Sequence, residues 1–394
     1  MKFMNILPKP NRTDLICLSH LRWNFVFQRP QHLMSRFAKV RRVFFVEEPV
    51  IEETEPVLKV AVCPQTNVHV VTPHLSGDVN RTRVLHELLS QFVIDNGVDK
   101  PILWYYTPMA MEFFPRTIPT SAVVYDCMDE LSMFRGAPQQ LEILEKYLMR
   151  TADLVFTGGV SLFEAKRKLH TQVYPFPSGV DVHHFAQARN YKGQAPEHLN
   201  LARPRLGYAG VIDERIDMGL LNEMARLRPE WQFVMIGPTA KISPDSMPRR
   251  ENIHWLGMKN YAELPKYFAG WDAGIMPFAI NDATRFISPT KTPEYLAAGL
   301  PVVSTRIRDV VRPYEELGLV RIADTAEQFV AAAERAMATD MTMKWRERAD
   351  EFLKSCSWDS VWEGMNRLVT GVTAGSGKKQ AEQALVARPE AASV

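Results

Sequence analysis

Several features are scarce in this 394-residue sequence. It has four cysteines, Cys17, Cys63, Cys127 and Cys356, well separated from one another and in no CxxC pair. That excludes a disulfide scaffold and a thiolate zinc site, and implies buried thiols in a reducing compartment. No apolar run approaches the ~20 residues that cross a bilayer. The first residues, MKFMNILPKPNRTD, carry no apolar signal region. A cytoplasmic location is therefore expected. The formal net charge of +2 is too small to attract nucleic acid, and no such partner is expected. His183 and His184 are adjacent and so cannot share one face of a helix or strand. They are not a metal pair, and no metal site is expected.

What is present is ordinary globular material, 46% hydrophobic and 23% charged. A chain this long exceeds what one core holds, so about two domains are expected. Short apolar runs alternate with amphipathic segments. The pattern predicts strands at 14–20, 42–49, 68–73, 102–108, 122–129, 152–159 and 172–177, with helices at 30–40, 79–95, 138–150 and 160–169. The rhythm then restarts. Strands are predicted at 205–213, 232–238, 252–258, 273–278, 301–307 and 319–324, with helices at 216–228, 262–270, 290–298, 326–338 and 342–355. Apolar strands with helical crossovers imply parallel sheets covered on both faces. The expected class is α/β, with two Rossmann-like halves at 1–185 and 205–355 joined by a polar linker, 186–204. A last helix, 356–372, is expected to pack back on the first half, and 373–394 to form a disordered tail. Such a pair leaves a cleft at the carboxyl ends of the strands, where ligands bind.

One stretch concentrates charge at that cleft: SPTKTPEYLAAGLPVVST, 288–305. Either Thr292 caps a helix opened by Pro293, or Ser288 caps one opened by Pro289. Gly299 ends it, and Pro301 precedes the next strand. In both cases free N–H groups at the helix start suit a phosphate. Glu294 favours a first turn on its own account. Lys291 does not, and gains from an anion beside it; a solvated surface lysine is the plain alternative.

This stretch resembles the donor-site motif of GT-B glycosyltransferases of the family 4 type. So do PSGVDVHHF (177–185), RLGYAGVIDERIDMGLL (205–221) and NIHWLGMKNYAELPKYFAGWDAGIMPF (252–278). LRWNFVFQRPQHLMSRFA (21–38) and VVYDCMDELSMF (123–134) resemble a subgroup acting in bacterial surface-polysaccharide assembly. The resemblance implies a GT-B fold and transfer of a sugar from a nucleotide-diphosphate sugar to a glycan or lipid-linked acceptor. It implies retention of anomeric configuration, with the nucleotide sugar as co-substrate and no further cofactor. It places Glu294 on the ribose hydroxyls, which a carboxylate accepts in pairs. Ser288, Thr290 and Lys291 would follow the diphosphate, with Gly210 allowing close backbone approach. The absence of any DxD disfavours the metal-dependent GT-A type. The same pocket would also serve a nucleotide-sugar epimerase, or a binding protein without catalysis.

The chain departs from the pattern at two places. Phe286 stands where the family has a second glutamate, which usually contacts the transferred sugar. In the VIDERID loop, Arg215 is the candidate replacement for a phosphate-binding cation. In the first half, Asp126 falls near the family's post-strand histidine and would orient or deprotonate an acceptor hydroxyl. Asp126 and Asp129 would alternatively cap the segment that follows. His20, Arg22, Trp23, Arg29 and Gln31 are expected to face the cleft and hold diphosphate or acceptor, Trp23 by stacking on a sugar or, alternatively, buried in the core. Lys39, Arg41 and Arg42, with Phe37 nearby, suggest peripheral contact with the inner face of the cell membrane.

Overall fold

Short runs of Val, Ile, Leu and Phe form strands that are buried along their whole length, such as Val43–Val46. Strands covered on both faces need helices on both sides, and the chain supplies them in βα alternation. The computed structural model describes residues 13–193, 195–339 and 343–375. The predicted tail beyond residue 375 lies outside these.

The first sheet contains β1 (Leu15–Leu18), β2 (Val43–Val46), β3 (Val50–Ile51), β4 (Val57–Val62), β5 (His69–Leu75), β6 (Ile102–Tyr105), β7 (Ala122–Cys127), β8 (Leu154–Thr157) and β9 (Val173–Pro175). Their order is β3-β5-β2-β1-β6-β7-β8-β9, and β4 pairs with β5. All neighbours are parallel except β4 and β5. The pattern at 57–62 predicts no strand. VLKVAV is mostly solvent-exposed, so it carries neither the alternation nor the burial that marks a strand.

The second sheet contains β10 (Arg205–Ala209), β11 (Gln232–Ile236), β12 (Ile253–Trp255), β13 (Ala273–Met276), β14 (Val302–Ser304) and β15 (Val320–Ile322), ordered β12-β11-β10-β13-β14-β15 and parallel throughout. Both orders reverse beside the sheet's first strand, which opens a crevice at its carboxyl end.

The connection through 186–204 is not the loose linker that its polarity suggests. Ala188, Ala195 and His198 are buried in it. Arg189 anchors it, donating to the carbonyls of Ala297 and Leu296 and pairing with Asp350 at 2.6 Å. The last described helix, Trp358–Thr373, lies against the first sheet. Trp358, Val361, Met365 and Val369 share an apolar cluster with Leu33, Met34 and Phe37 of helix Arg29–Ala38.

Candidate active site

The helix Lys291–Ala297 starts one residue after Thr290 and ends before Gly299. Neither expected cap operates: no side chain caps its start, and Thr292 is fully buried, its hydroxyl against the Met276 sulfur. Apolar Tyr295, Leu296 and Ala297 anchor the helix body. The Tyr295 hydroxyl accepts from the Ala209 N–H at 2.8 Å, tying the helix to β10. That leaves Lys291 and Glu294 on the side facing the crevice, both half-buried.

Lys291 lies across Gly210, the residue after β10. A Cβ there would stand 2.1 Å from the lysine Cε and 2.5 Å from its Nζ, so any other residue would displace the end of the lysine side chain. The ammonium sits 5.4 Å from the centre of the Tyr208 ring. Burial lowers the proton affinity of Lys291, and so does the nearby Arg215; Glu294, Asp213 and Asp129 act the other way. Burial raises that of Glu294, against Lys291 and the Thr290 side chain.

Arg215 comes from the loop after β10. It forks onto Asp213, Nε to Oδ1 at 2.9 Å and Nη2 to Oδ2 at 2.6 Å, and lies 5.6 Å from the centre of the Phe134 ring. Burial works against its charge, but Asp213 and Asp129 more than compensate. Phe134 belongs to the first domain. Its neighbour Arg135 donates its N–H to Glu214 at 3.0 Å, so the loop after β7 grips the loop after β10. Asp129, also in that β7 loop, reaches the same cations. Burial and Asp213 raise its proton affinity, while Arg215, Arg29 and Lys291 lower it.

Other expected residues are placed differently. Asp126 has no exposed surface and is held by Arg29, Nη2 to Oδ1 at 2.8 Å with both oxygens also taken by Nε. Arg29 also donates to the Phe176 carbonyl at 2.8 Å. This buried pair joins the first helix to β7, whereas Asp129, three residues on, is only half-buried. Arg22, Trp23 and Gln31 build their own loop instead of lining the cleft. Glu47 accepts from the Trp23 N–H at 2.7 Å and from Arg22 at 3.2 Å. The Gln31 amide donates to the Trp23 carbonyl at 2.9 Å. Trp23 packs edge-on to Phe45 at 5.0 Å in the core, so its indole stacks on no sugar. His20 lies beyond the carboxyl end of β1. Its Nδ1 is buried without a partner, and burial together with Lys241 lowers its pKa to about 4 against a hydrogen bond with the Tyr106 backbone.

Ser288 meets the first domain: a Cβ on Gly159 would lie 2.7 Å from its own. Phe286 packs against the first domain's apolar cluster. At the basic helix end Lys39 is exposed, while its neighbours find partners within the protein. Phe37 is fully buried, Arg42 forks onto Asp14 at 2.6 and 3.0 Å, and Arg41 donates to Asn366. Among the described residues no helix is long and apolar enough to cross a membrane.

Residues 203–339, which carry Gly210, Arg215, Lys291 and Glu294, match the family described as glycosyl transferases group 1. A Bacillus subtilis protein assigned to teichuronic acid biosynthesis as the glycosyltransferase TuaH is 26% identical over 297 residues, 68% of this chain and 71% of that one. The chain is a glycosyltransferase of GT-B fold, with its group 1 domain at 203–339. Among solved structures, sucrose-phosphate synthase from Thermosynechococcus elongatus superposes with a TM-score of 0.69 at 14% identity, covering 93% of this chain and 100% of that one. An E. coli trehalose-6-phosphate structure bound with UDP-2-fluoro glucose gives 0.66 at 13% identity, covering 92% and 99%. The catalytic domain of starch synthase IV from Arabidopsis thaliana, bound to ADP and acarbose, gives 0.63 at 11%, covering 92% and 99%. At these identities the superpositions show the fold. Sugar transfer, among the activities this glycosyltransferase's sequence left open, is the one its family supports.

Proposed function

We propose that this glycosyltransferase moves a sugar from a nucleotide-diphosphate sugar to a glycan or lipid-linked acceptor, with retention and without a metal. The observation that carries the reading is Lys291, laid across the backbone of Gly210 at the carboxyl end of β10, with Arg215 and Glu294 close enough to act on its charge. Lys291 and Arg215 compensate the diphosphate, whose charge grows as its bond to the anomeric carbon breaks. Glu294, one turn from Lys291, accepts the ribose hydroxyls. Across the cleft, Asp129 orients the acceptor hydroxyl and receives its proton. Burial already raises the proton affinity of Asp129, and an incoming diphosphate adds negative charge that raises it further. The acceptor oxygen bonds to the anomeric carbon on the same face from which the diphosphate leaves, as retention requires. The fold neighbours bound with UDP-2-fluoro glucose and with ADP lend support, as nucleotide-bound proteins of the same architecture.

The test is incubation of purified protein with a panel of nucleotide sugars and acceptors, with and without chelator. Transfer with retained configuration, unaffected by chelator, is the expected result. No transfer and no donor hydrolysis across the panel would overturn the proposal, and loss of activity with chelator would overturn its metal-free part.

A further inference from the structure

A cavity of about 290 Å³ opens in the first domain at the carboxyl ends of β1, β2 and β6. None of the groups around Gly210 lines it. Its walls mix two kinds of group. Leu85 and Phe113 are apolar, while Ser19, Glu47 and Thr107 are polar and buried. The Glu47 carboxylate is already satisfied: the Trp23 N–H, the Arg22 guanidinium and the Thr72 hydroxyl all donate to it. The two hydroxyls are not. Ser19 accepts from the Leu21 N–H at 3.0 Å, and Thr107 from the Met109 N–H at 3.3 Å. Neither donates its own O–H to a protein group among the described residues. Glu48, Glu112 and Arg81, all exposed, line the mouth.

We infer that this cavity holds one neutral sugar residue of a glycan acceptor, remote from the residue that receives the transferred sugar. The acceptor role rests on the transfer reading above. Ligand pockets start at about 300 Å³, so this one suits a single ring. A sugar presents apolar C–H faces and a rim of hydroxyls. Leu85 and Phe113 match the first, and two free O–H donors with the Glu48 and Glu112 carboxylates match the second. Three carboxylates line the cavity against Arg81, with Arg22 behind Glu47, so a carboxylate or phosphate ligand is repelled. The sheet order sets the span. β6 separates β1 from β7, whose loop carries Asp129, so the cavity lies two strand spacings away, roughly 10 Å. A single sugar cannot occupy both places, whereas a chain of sugars can.

Saturation-transfer NMR on the full chain, with and without UDP, tests the cavity. The probes are the methyl glycosides of glucose, galactose, mannose and N-acetylglucosamine, with methyl glucuronide as the anionic counterpart. At least one neutral glycoside should bind in the presence of UDP, about 10-fold more tightly than the glucuronide. Thr82 is exposed in the first turn of the helix Arg81–Asp95 and lines the cavity. Thr82→Trp should fill the mouth and abolish the signal. Glu112→Gln should narrow the preference over the glucuronide. Both variants should keep the thermal midpoint and the UDP affinity of the unmodified protein. No signal from any glycoside, tighter binding of the glucuronide, or a signal that survives Thr82→Trp overturns the sugar site. The transfer assay above tests the acceptor role. Three-sugar acceptors should show a lower KM than single sugars, and Thr82→Trp should cancel that gain without changing the KM of the nucleotide sugar. Equal KM for long and short acceptors overturns the acceptor role. If no nucleoside diphosphate binds the unmodified protein, the donor-site reading fails and the acceptor role with it, while a glycoside signal lost in Thr82→Trp still upholds the sugar site.

Discussion

Two aspartates three positions apart, Asp126 and Asp129, do opposite work. Asp126 is sealed against Arg29, and removing one partner of such a pair costs about 3–5 kcal/mol. Asp126→Ala should therefore lower the denaturation midpoint strongly, as chemical unfolding would show. Asp129→Asn should leave the fold and nucleotide affinity nearly intact and reduce kcat by about 100-fold or more, as expected of a group handling a proton. Equal loss of stability in both variants would contradict this division. The sequence offered both residues but could not separate them, because burial depends on Arg29, which is 97 positions away in the chain. Lys291 and Glu294 were legible because the motif is local and its spacing is one helical turn. Donor binding should also depend on pH. Burial raises the proton affinity of Glu294 and lowers that of Lys291. Affinity should climb as Glu294 ionises and fall once Lys291 loses its proton, which titration at several pH values would reveal.

At the scale of elements, the helix Arg29–Ala38 is where the two halves and the last helix meet. His32 on that helix stacks on Trp358 at 4.4 Å and lies edge-on to Tyr261 at 5.8 Å. Burial, together with Arg36 and His184, lowers its pKa to about 3. The unfolded chain takes up this proton near pH ~6.5, long before the folded one does. Stability is therefore undiminished above pH ~6.5 and falls by up to ~1.4 kcal/mol per pH unit below it, levelling near the folded value. Denaturation curves across that range should show His32→Phe flattening the dependence; an unchanged slope would contradict the buried, neutral histidine. The βα rhythm was readable because strands buried on both faces are apolar throughout. The β4 strand and the packed turns of 186–204 were not, since an exposed edge strand and a polar connection stabilised by Arg189 leave no periodic trace.

For the whole molecule, the cleft is bridged by several contacts. The Asp309 carboxylate accepts from the Ser161 N–H at 3.0 Å, Arg308 pairs with Glu164, and Arg135 donates to Glu214. Asp309→Ala should loosen this arrangement and increase the radius of gyration in solution scattering, and nucleotide should partly reverse the change; identical scattering would show that the contact does not hold the domains. Two Rossmann-like halves were expected from the strand count. Which residues close the cleft was not, because each bridge joins residues more than 70 positions apart in the chain. The central claim is that Lys291 and Glu294 form the donor site. Calorimetric titration of UDP, ADP and GDP into the unmodified protein, Lys291→Met and Glu294→Ala tests it most directly. The prediction is that one nucleotide binds the unmodified protein, and that each variant loses at least about 10-fold in affinity while its thermal midpoint stays close to the original. Affinity unchanged in both variants would contradict the account.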